Sequence, residues 1–117
     1  MEKQVASILK DLGIPANLDG YRNLKRCVLH LLKSGEEDFR TCALYEDIAA
    51  ITGSTRNWVE RSMRQAIQVG VTRGDCLKWR SLFSYSYSSE KGYPTNSEFI
   101  ATIVEYLRMQ QKEGACS

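Results

Sequence analysis

Apolar residues in this chain recur every three or four positions, and the recurrence stops at nearly every glycine or proline. Val5, Ile8, Leu9 and Leu12 form the first run and Gly13 closes it. Ile14-Pro15 bars its continuation, because the proline ring disfavours helical geometry in the residue before it. Tyr21, Leu24, Val28, Leu31 and Leu32 set a second helix ending near Ser34-Gly35, with Arg22, Lys25 and Arg26 largely off its apolar stripe as a solvated face. Beyond the acidic link Glu36-Glu37-Asp38, the residues Leu44, Ile48, Ala49 and Ile51 mark a short third helix. Thr52-Gly53-Ser54 breaks it, and the hydroxyl of Ser54 or Thr55 can cap a fourth. That longer helix carries Val59, Met63, Ala66, Ile67 and Gly70 on one side and stops at Gly74. A small helix around Leu77, Trp79, Leu82 and Phe83 follows, then a Ser/Tyr-rich loop from Ser84 to Tyr93. Pro94 opens the last helix, in which Thr95 and Glu98 fit a capping box and Phe99, Ile100, Ile103, Val104 and Leu107 supply the stripe. The tail is expected to fray from Lys112. No segment alternates with the period of a strand. The pattern predicts an all-α fold, a compact bundle of about six helices forming a single domain over residues 1–117 and containing a helix-turn-helix.

Several function classes are excluded or left without support. No apolar run approaches the ~20 residues that span a membrane, and Met1-Glu2-Lys3-Gln4 lacks the layout of a signal peptide. A cytoplasmic protein with no membrane partner is expected. Cys27, Cys42, Cys76 and Cys116 include no CxxC pair and His30 is the sole histidine, so neither a metal site nor a disulfide framework is expected; the thiols read as reduced. No cofactor motif occurs. His30 lies off its apolar stripe without an implied nucleophile or carboxylate partner; Asp38, Glu46 and Asp47 could suggest paired carboxylates, but Asp47 reads better as solvated or as a local helix partner, and no Gly-rich phosphate loop is present. The expectation is a protein that is not an enzyme. Tyr85, Tyr87 and Tyr93 could stack on single-stranded bases, though packing and surface roles account for them more simply. A formal net charge of +2 permits a nucleic-acid partner without demanding one.

The segment from Leu44 to Gly74 carries the strongest functional signal. A short helix, a break containing glycine and a second helix follow the helix-turn-helix pattern, in which the amino-terminal half of the second helix enters the major groove. Residues there should present hydrogen-bonding side chains opposite the core. Asn57, Glu60, Arg61 and Arg64 share one stripe by the i, i+3, i+4, i+7 rule, while Val59, Met63, Ala66 and Ile67 take the other side. Arginine binds guanine bidentately, asparagine binds adenine and glutamate accepts from cytosine. Arg56, at the helix start, and Thr95 and Asn96, at the start of the last helix, are placed to position the phosphate backbone. The plain alternative is a solvated face in which Glu60 and Arg64 form an i, i+4 ion pair. Periodicity alone does not separate the two.

These residues also resemble a known family, the carboxy-terminal effector domain of stage zero sporulation protein A, a sporulation response regulator. The likeness runs from about Ile8 to Leu107 and rests on Leu12-Gly13-Ile14-Pro15-Ala16, on Gly20-Tyr21 with Leu24, and on Leu44-Tyr45 with Asp47-Ile48-Ala49. Val59-Glu60-Arg61 with Arg64, Ala66-Ile67, Arg73-Gly74, Leu82-Phe83 and the unbroken block from Pro94 to Ala101 complete it. The resemblance implies a six-helix fold, sequence-specific binding to double-stranded promoter DNA, and contact with the sigma factor of RNA polymerase. It carries Glu60, Arg61 and Arg64 over as base-reading residues. It further implies a homodimer or tandem pair on DNA with Phe99 to Leu107 as the contact surface, and a polymerase contact around Lys78 to Tyr87. Trp58 departs from the family's arginine, Gln65 from its histidine, and Arg56 and Asn57 from small residues. Trp58 then either packs against sugar or a thymine methyl, or forms a subunit contact. The receiver domain of the family has no counterpart in these residues; if Met1 is the natural start, phosphorylation does not control this protein in the usual way. The alternative function is a receiverless protein-interaction module that binds the sigma factor or a full-length regulator without reading DNA, for which Trp58 and the modest net charge speak.

Overall fold

The computed structural model describes residues 2–35, 41–83 and 92–116, and these form six helices and no strand: α1 Glu2–Asp11, α2 Asp19–Ser34, α3 Thr41–Thr52, α4 Arg56–Arg73, α5 Cys76–Phe83 and α6 Asn96–Cys116. The all-α bundle is therefore observed. Among the described residues no helix is long and apolar enough to cross a membrane.

Breaks fall where backbone chemistry puts them. The chain leaves α1 through Gly13 at φ +80°, and Ile14 N–H donates back to the Leu9 carbonyl at 3.1 Å. The capping box of α6 forms reciprocally: Glu98 N–H donates to Thr95 Oγ1 at 3.2 Å and Thr95 N–H to Glu98 Oε1 at 3.3 Å. α6 then stays helical to Cys116, past Lys112, where fraying was expected.

α2 lies at the centre, packed most extensively on α4 and also against α1, α3 and α6. Its stripe of Leu24, Cys27, Val28 and Leu31 meets Met63 and Ile67 of α4 and the α6 residues Phe99, Ile100, Ile103 and Leu107 in one core. In that core Phe83 stacks on both Trp79 and Phe99, which are tilted to each other, with centroids 5.2 to 5.8 Å apart. The Trp79 indole N–H is shared between two carbonyls, Leu12 at 2.9 Å and Gly70 at 3.1 Å, tying α1, α4 and α5 together. At the same junction Gly13 lies so close to Gly74 that a Cβ on Gly13 would sit 2.5 Å from the Gly74 Cα.

Two expectations from periodicity need correction. Ile51 is 72% exposed; the buried face of α3 is Leu44, Tyr45, Ile48 and Ala49, because α3 turns its 45/48 edge, not its 51 edge, toward the core. Leu77 is 71% exposed, since α5 is anchored by the i, i+4 pair Trp79 and Phe83 and its first turn points outward. In the stretch from Phe99 to Leu107, the side chains of Phe99, Ile100, Ile103, Val104 and Leu107 are buried in this chain's own core, and the outward side of α6 is Ala101, Glu105, Tyr106 and Met109.

Candidate nucleic-acid interface

The start of α4 is set by the turn before it. Thr52 Oγ1 donates to the Ile48 carbonyl at 2.9 Å, Gly53 takes φ +69°, and Ser54 N–H returns to the Ala49 carbonyl at 2.9 Å. Of the two candidate caps, Thr55 acts: its backbone is extended and its hydroxyl accepts from Trp58 N–H at 3.1 Å, while the Ser54 hydroxyl bonds that of Thr52.

From that start, Val59, Met63, Ala66 and Ile67 face inward and are fully buried. Arg56, Asn57, Trp58, Arg61, Arg64 and Gln65 are exposed and Glu60 is half-buried, so the anticipated stripe of Asn57, Glu60, Arg61 and Arg64 is assembled on the outer face. Its members differ in how free they are. Glu60 and Arg64 form the i, i+4 ion pair at 3.0 Å, and Arg56 reaches Glu46 of α3 at 3.5 Å. Both pairs are exposed, where such contacts contribute about 0.2–1 kcal/mol and exchange readily. Arg61 and Asn57 make no side-chain hydrogen bond or ion pair among the described residues, leaving five guanidinium donors and a whole amide to solvent.

Two asparagines hold this half of α4 from behind. Asn23, fully buried on α2, donates through Nδ2 to Ser62 Oγ at 2.8 Å, and that hydroxyl donates to the Val59 carbonyl at 2.8 Å. Arg26 Nη1 donates to Asn23 Oδ1 at 3.1 Å, so both ends of the buried amide are satisfied. Asn96 of α6 donates to the Glu60 carbonyl at 2.9 Å. The groups expected to touch phosphate at the start of α6 thus have protein partners: the Thr95 hydroxyl caps its own helix and the Asn96 amide braces α4. Asn23 was not anticipated, because a polar residue at the edge of an apolar stripe reads as solvated. Its burial beside Gly20, Leu24 and Cys27 is the signal that a partner must lie across from it.

Trp58, 38% exposed, borders an open cleft between α4 and residues 17–20. Beneath, the Cys27 thiol lies 3.8 Å from the Met63 sulfur, and burial pushes its pKa up to about 12, which leaves it inert as a nucleophile. Among the described residues no cluster of His, Cys, Asp and Glu could hold a metal ion. His30 and Asp47 are exposed, and Tyr93 packs partly buried against the core. Asp38, Tyr85 and Tyr87 lie outside the described residues, as does the later part of the stretch from Lys78 to Tyr87. Lys78 pairs with Asp11 at 3.4 Å, and Arg73 and Arg80 are exposed.

Comparison with protein families gives a match across this architecture. The model of the family described as "Sporulation initiation factor Spo0A C terminal" matches residues 5–107, from within α1 into α6.

Proposed function

This chain belongs to the sporulation initiation factor Spo0A C-terminal family, a family of DNA-binding effector domains, and from that premise we propose that it reads duplex DNA sequence-specifically with α4 in the major groove. The observation that carries the reading is the placement of Arg61 and Asn57. They stand exposed and unpaired among the described residues on the amino-terminal half of a helix that is capped at its start and braced from behind. A free guanidinium suits the O6/N7 edge of guanine and a free amide the N6/N7 edge of adenine. Glu60 and Arg64 exchange their mutual ion pair for base edges, and Arg56 turns from Glu46 to phosphate. α3 braces α4 and does not read. The protein works without catalysis, in the cytoplasm. It pairs with a second copy through the Glu105, Tyr106 and Met109 side of α6, and it meets the polymerase sigma factor through the outer side of α5.

The half-exposed indole of Trp58 on this face favours a second reading, in which the domain binds a protein and not DNA. Salt separates the two. Each phosphate neutralised contributes about −0.9 to the slope of log affinity against log salt, whereas an apolar protein interface is nearly indifferent. The test is binding to the sporulation regulator's DNA element and to a scrambled duplex across a salt series, with Arg61→Ala alongside. Expected is selective, salt-sensitive binding that Arg61→Ala weakens by about 1–3 kcal/mol on the element. Absence of binding to any duplex at low salt overturns the DNA reading.

A further inference from the structure

Resting on that reading, we propose that the cleft between α4 and residues 17–20 seats the sugar-phosphate backbone of the DNA strand bordering the groove that α4 enters, with Trp58 packed on a deoxyribose. The cleft has a volume of about 380 Å³. Trp58, Arg61 and Gln65 form one wall, Asn17 and Leu18 the other, and Gly20 and Ser62 the floor.

Its position follows from helical geometry. Asn57, Arg61 and Arg64 run along the middle of the outer face, while Trp58 and Gln65, seven residues apart, lie on the flank nearer α2. When the middle of the face descends into a groove, that flank meets the ridge beside the groove. Residues 17–20 then stand on the ridge's far side, and the cleft between the two walls is the space left for the strand.

The chemistry of the walls fits a strand better than the other candidates. The Trp58 ring gives an apolar face, and its indole N–H has no partner among the described residues; neither do the side chains of Asn17, Arg61 and Gln65. A nucleic-acid backbone alternates C–H-rich sugar with phosphate oxygens, so it uses the aromatic face and the donors together. A free anion would leave the ring unused, and a purely apolar peptide would bury the guanidinium unpaired. Asp19, the acidic group in the cleft, is paired with Arg22 at 3.2 Å, which lessens its repulsion of phosphate.

The cleft is also preformed. A Cβ on Gly20 would overlap the Ser62 carbonyl oxygen, so glycine lets α2 seat directly on the α4 backbone, and the Asn23–Ser62 hydrogen bond fixes the same contact below. A rigid cleft spares the ordering cost that a mobile one meets on binding. Trp58 is thus a residue that positions the helix in the groove. It makes a contact that carries no sequence information.

The experiment uses the two tryptophans of the full chain, of which Trp79 is only 2% exposed, so acrylamide quenching reports Trp58. Quenching is compared for the free protein and for the protein saturated with the sporulation regulator's duplex element, with Trp58→Phe as the control for the Trp79 signal. Expected is a several-fold fall in Trp58 quenching on the duplex. Trp58→Ala and Gln65→Ala should weaken binding to the element and to a scrambled duplex by the same factor, leaving the ratio of the two unchanged. A Trp58 that stays fully quenchable in a complex still dependent on Arg61 overturns this proposal and leaves base reading by α4 intact. A changed ratio on Trp58→Ala also overturns it, since Trp58 would then be reading a base. Failure of the wild-type protein to bind any duplex overturns both this proposal and the reading it rests on.

Discussion

The two ends of α4 are held in opposite ways. Its first turns are supported by side chains reaching in from neighbours, with Asn23 on Ser62 and Asn96 on the Glu60 carbonyl, so their outward residues are free to be anything polar. Its last turns are held by backbone: Gly74 packs against the Leu12 carbonyl, Gly13 packs on Gly74, and the Trp79 indole bridges the Leu12 and Gly70 carbonyls. One end presents chemistry and the other locates the helix. Substitutions at the far end should therefore damage the fold, while those at the near end should damage DNA binding and spare stability.

The largest effect is expected at the far end, from Gly74→Ala. The backbone there is extended, at φ −80° and ψ 178°, so alanine is allowed by its torsions; what forbids it is the Leu12 carbonyl oxygen, which the new Cβ would overlap. Overpacking costs typically about 1–3 kcal/mol, and a backbone neighbour that cannot swing aside places this site at about 3 kcal/mol. The denaturant midpoint at unchanged slope measures it. A loss below about 1 kcal/mol would mean that the junction yields, and the contrast between the two ends would collapse.

Next comes Trp79→Phe. Phenylalanine keeps most of the stacking with Phe83 and Phe99 but donates nothing. The Gly70 carbonyl retains a bond from Gly74 N–H at 2.7 Å, whereas the Leu12 carbonyl loses its donor. An unsatisfied buried carbonyl costs about 1–3 kcal/mol, to which the lost ring volume adds. Thermal unfolding should show the deficit, and DNA affinity of the folded protein should not move.

Asn96→Ala crosses from one end to the other. The loss in stability is expected to be about 1 kcal/mol, because the Glu60 carbonyl is a helix carbonyl and the lost bond is a supplement. A brace acts on the geometry of the base-reading stripe, so the preference for the element over a scrambled duplex should fall. A phosphate contact by Asn96 would instead lower affinity for both duplexes alike, with the preference preserved. Parallel titrations of the two duplexes decide between these outcomes.

Much of this was legible in the sequence because glycine and proline delimit helices and 3.6-residue periodicity identifies their inner faces. Gly13, Gly35, Gly53 and Gly74 end helices or turn the chain where expected, and Val59, Met63, Ala66 and Ile67 are all buried. What a single chain's periodicity cannot show is the neighbour on the other side. Ile51 and Leu77 fit helical stripes as well as Tyr45 and Trp79 do, and only the angle at which α3 and α5 meet the core sends them outward. Asn23 finds its reason in Ser62, 39 residues away. The cleft beside Trp58 is made by residues 17–20 and α4, which nothing local connects.

The smallest expected effect on stability, from Arg64→Lys, is the sharpest test of the near end. The Glu60–Arg64 contact at 3.0 Å is what any soluble helix can display, so its presence alone does not make Arg64 a reader of DNA. Lysine keeps the positive charge and can still pair with Glu60, and an exposed i, i+4 pair contributes only about 0.3–0.5 kcal/mol, so the unfolding midpoint should barely move. Lysine lacks the planar fork that grips two acceptors at once. If Arg64 reads guanine, binding to the element weakens by about 1–3 kcal/mol while binding to a scrambled duplex and its salt slope stay as they were, since the phosphate-facing charge is conserved. Equal affinity of the two proteins for the element would make Arg64 an ordinary member of a solvated ion pair, and base reading would narrow to Asn57, Glu60 and Arg61.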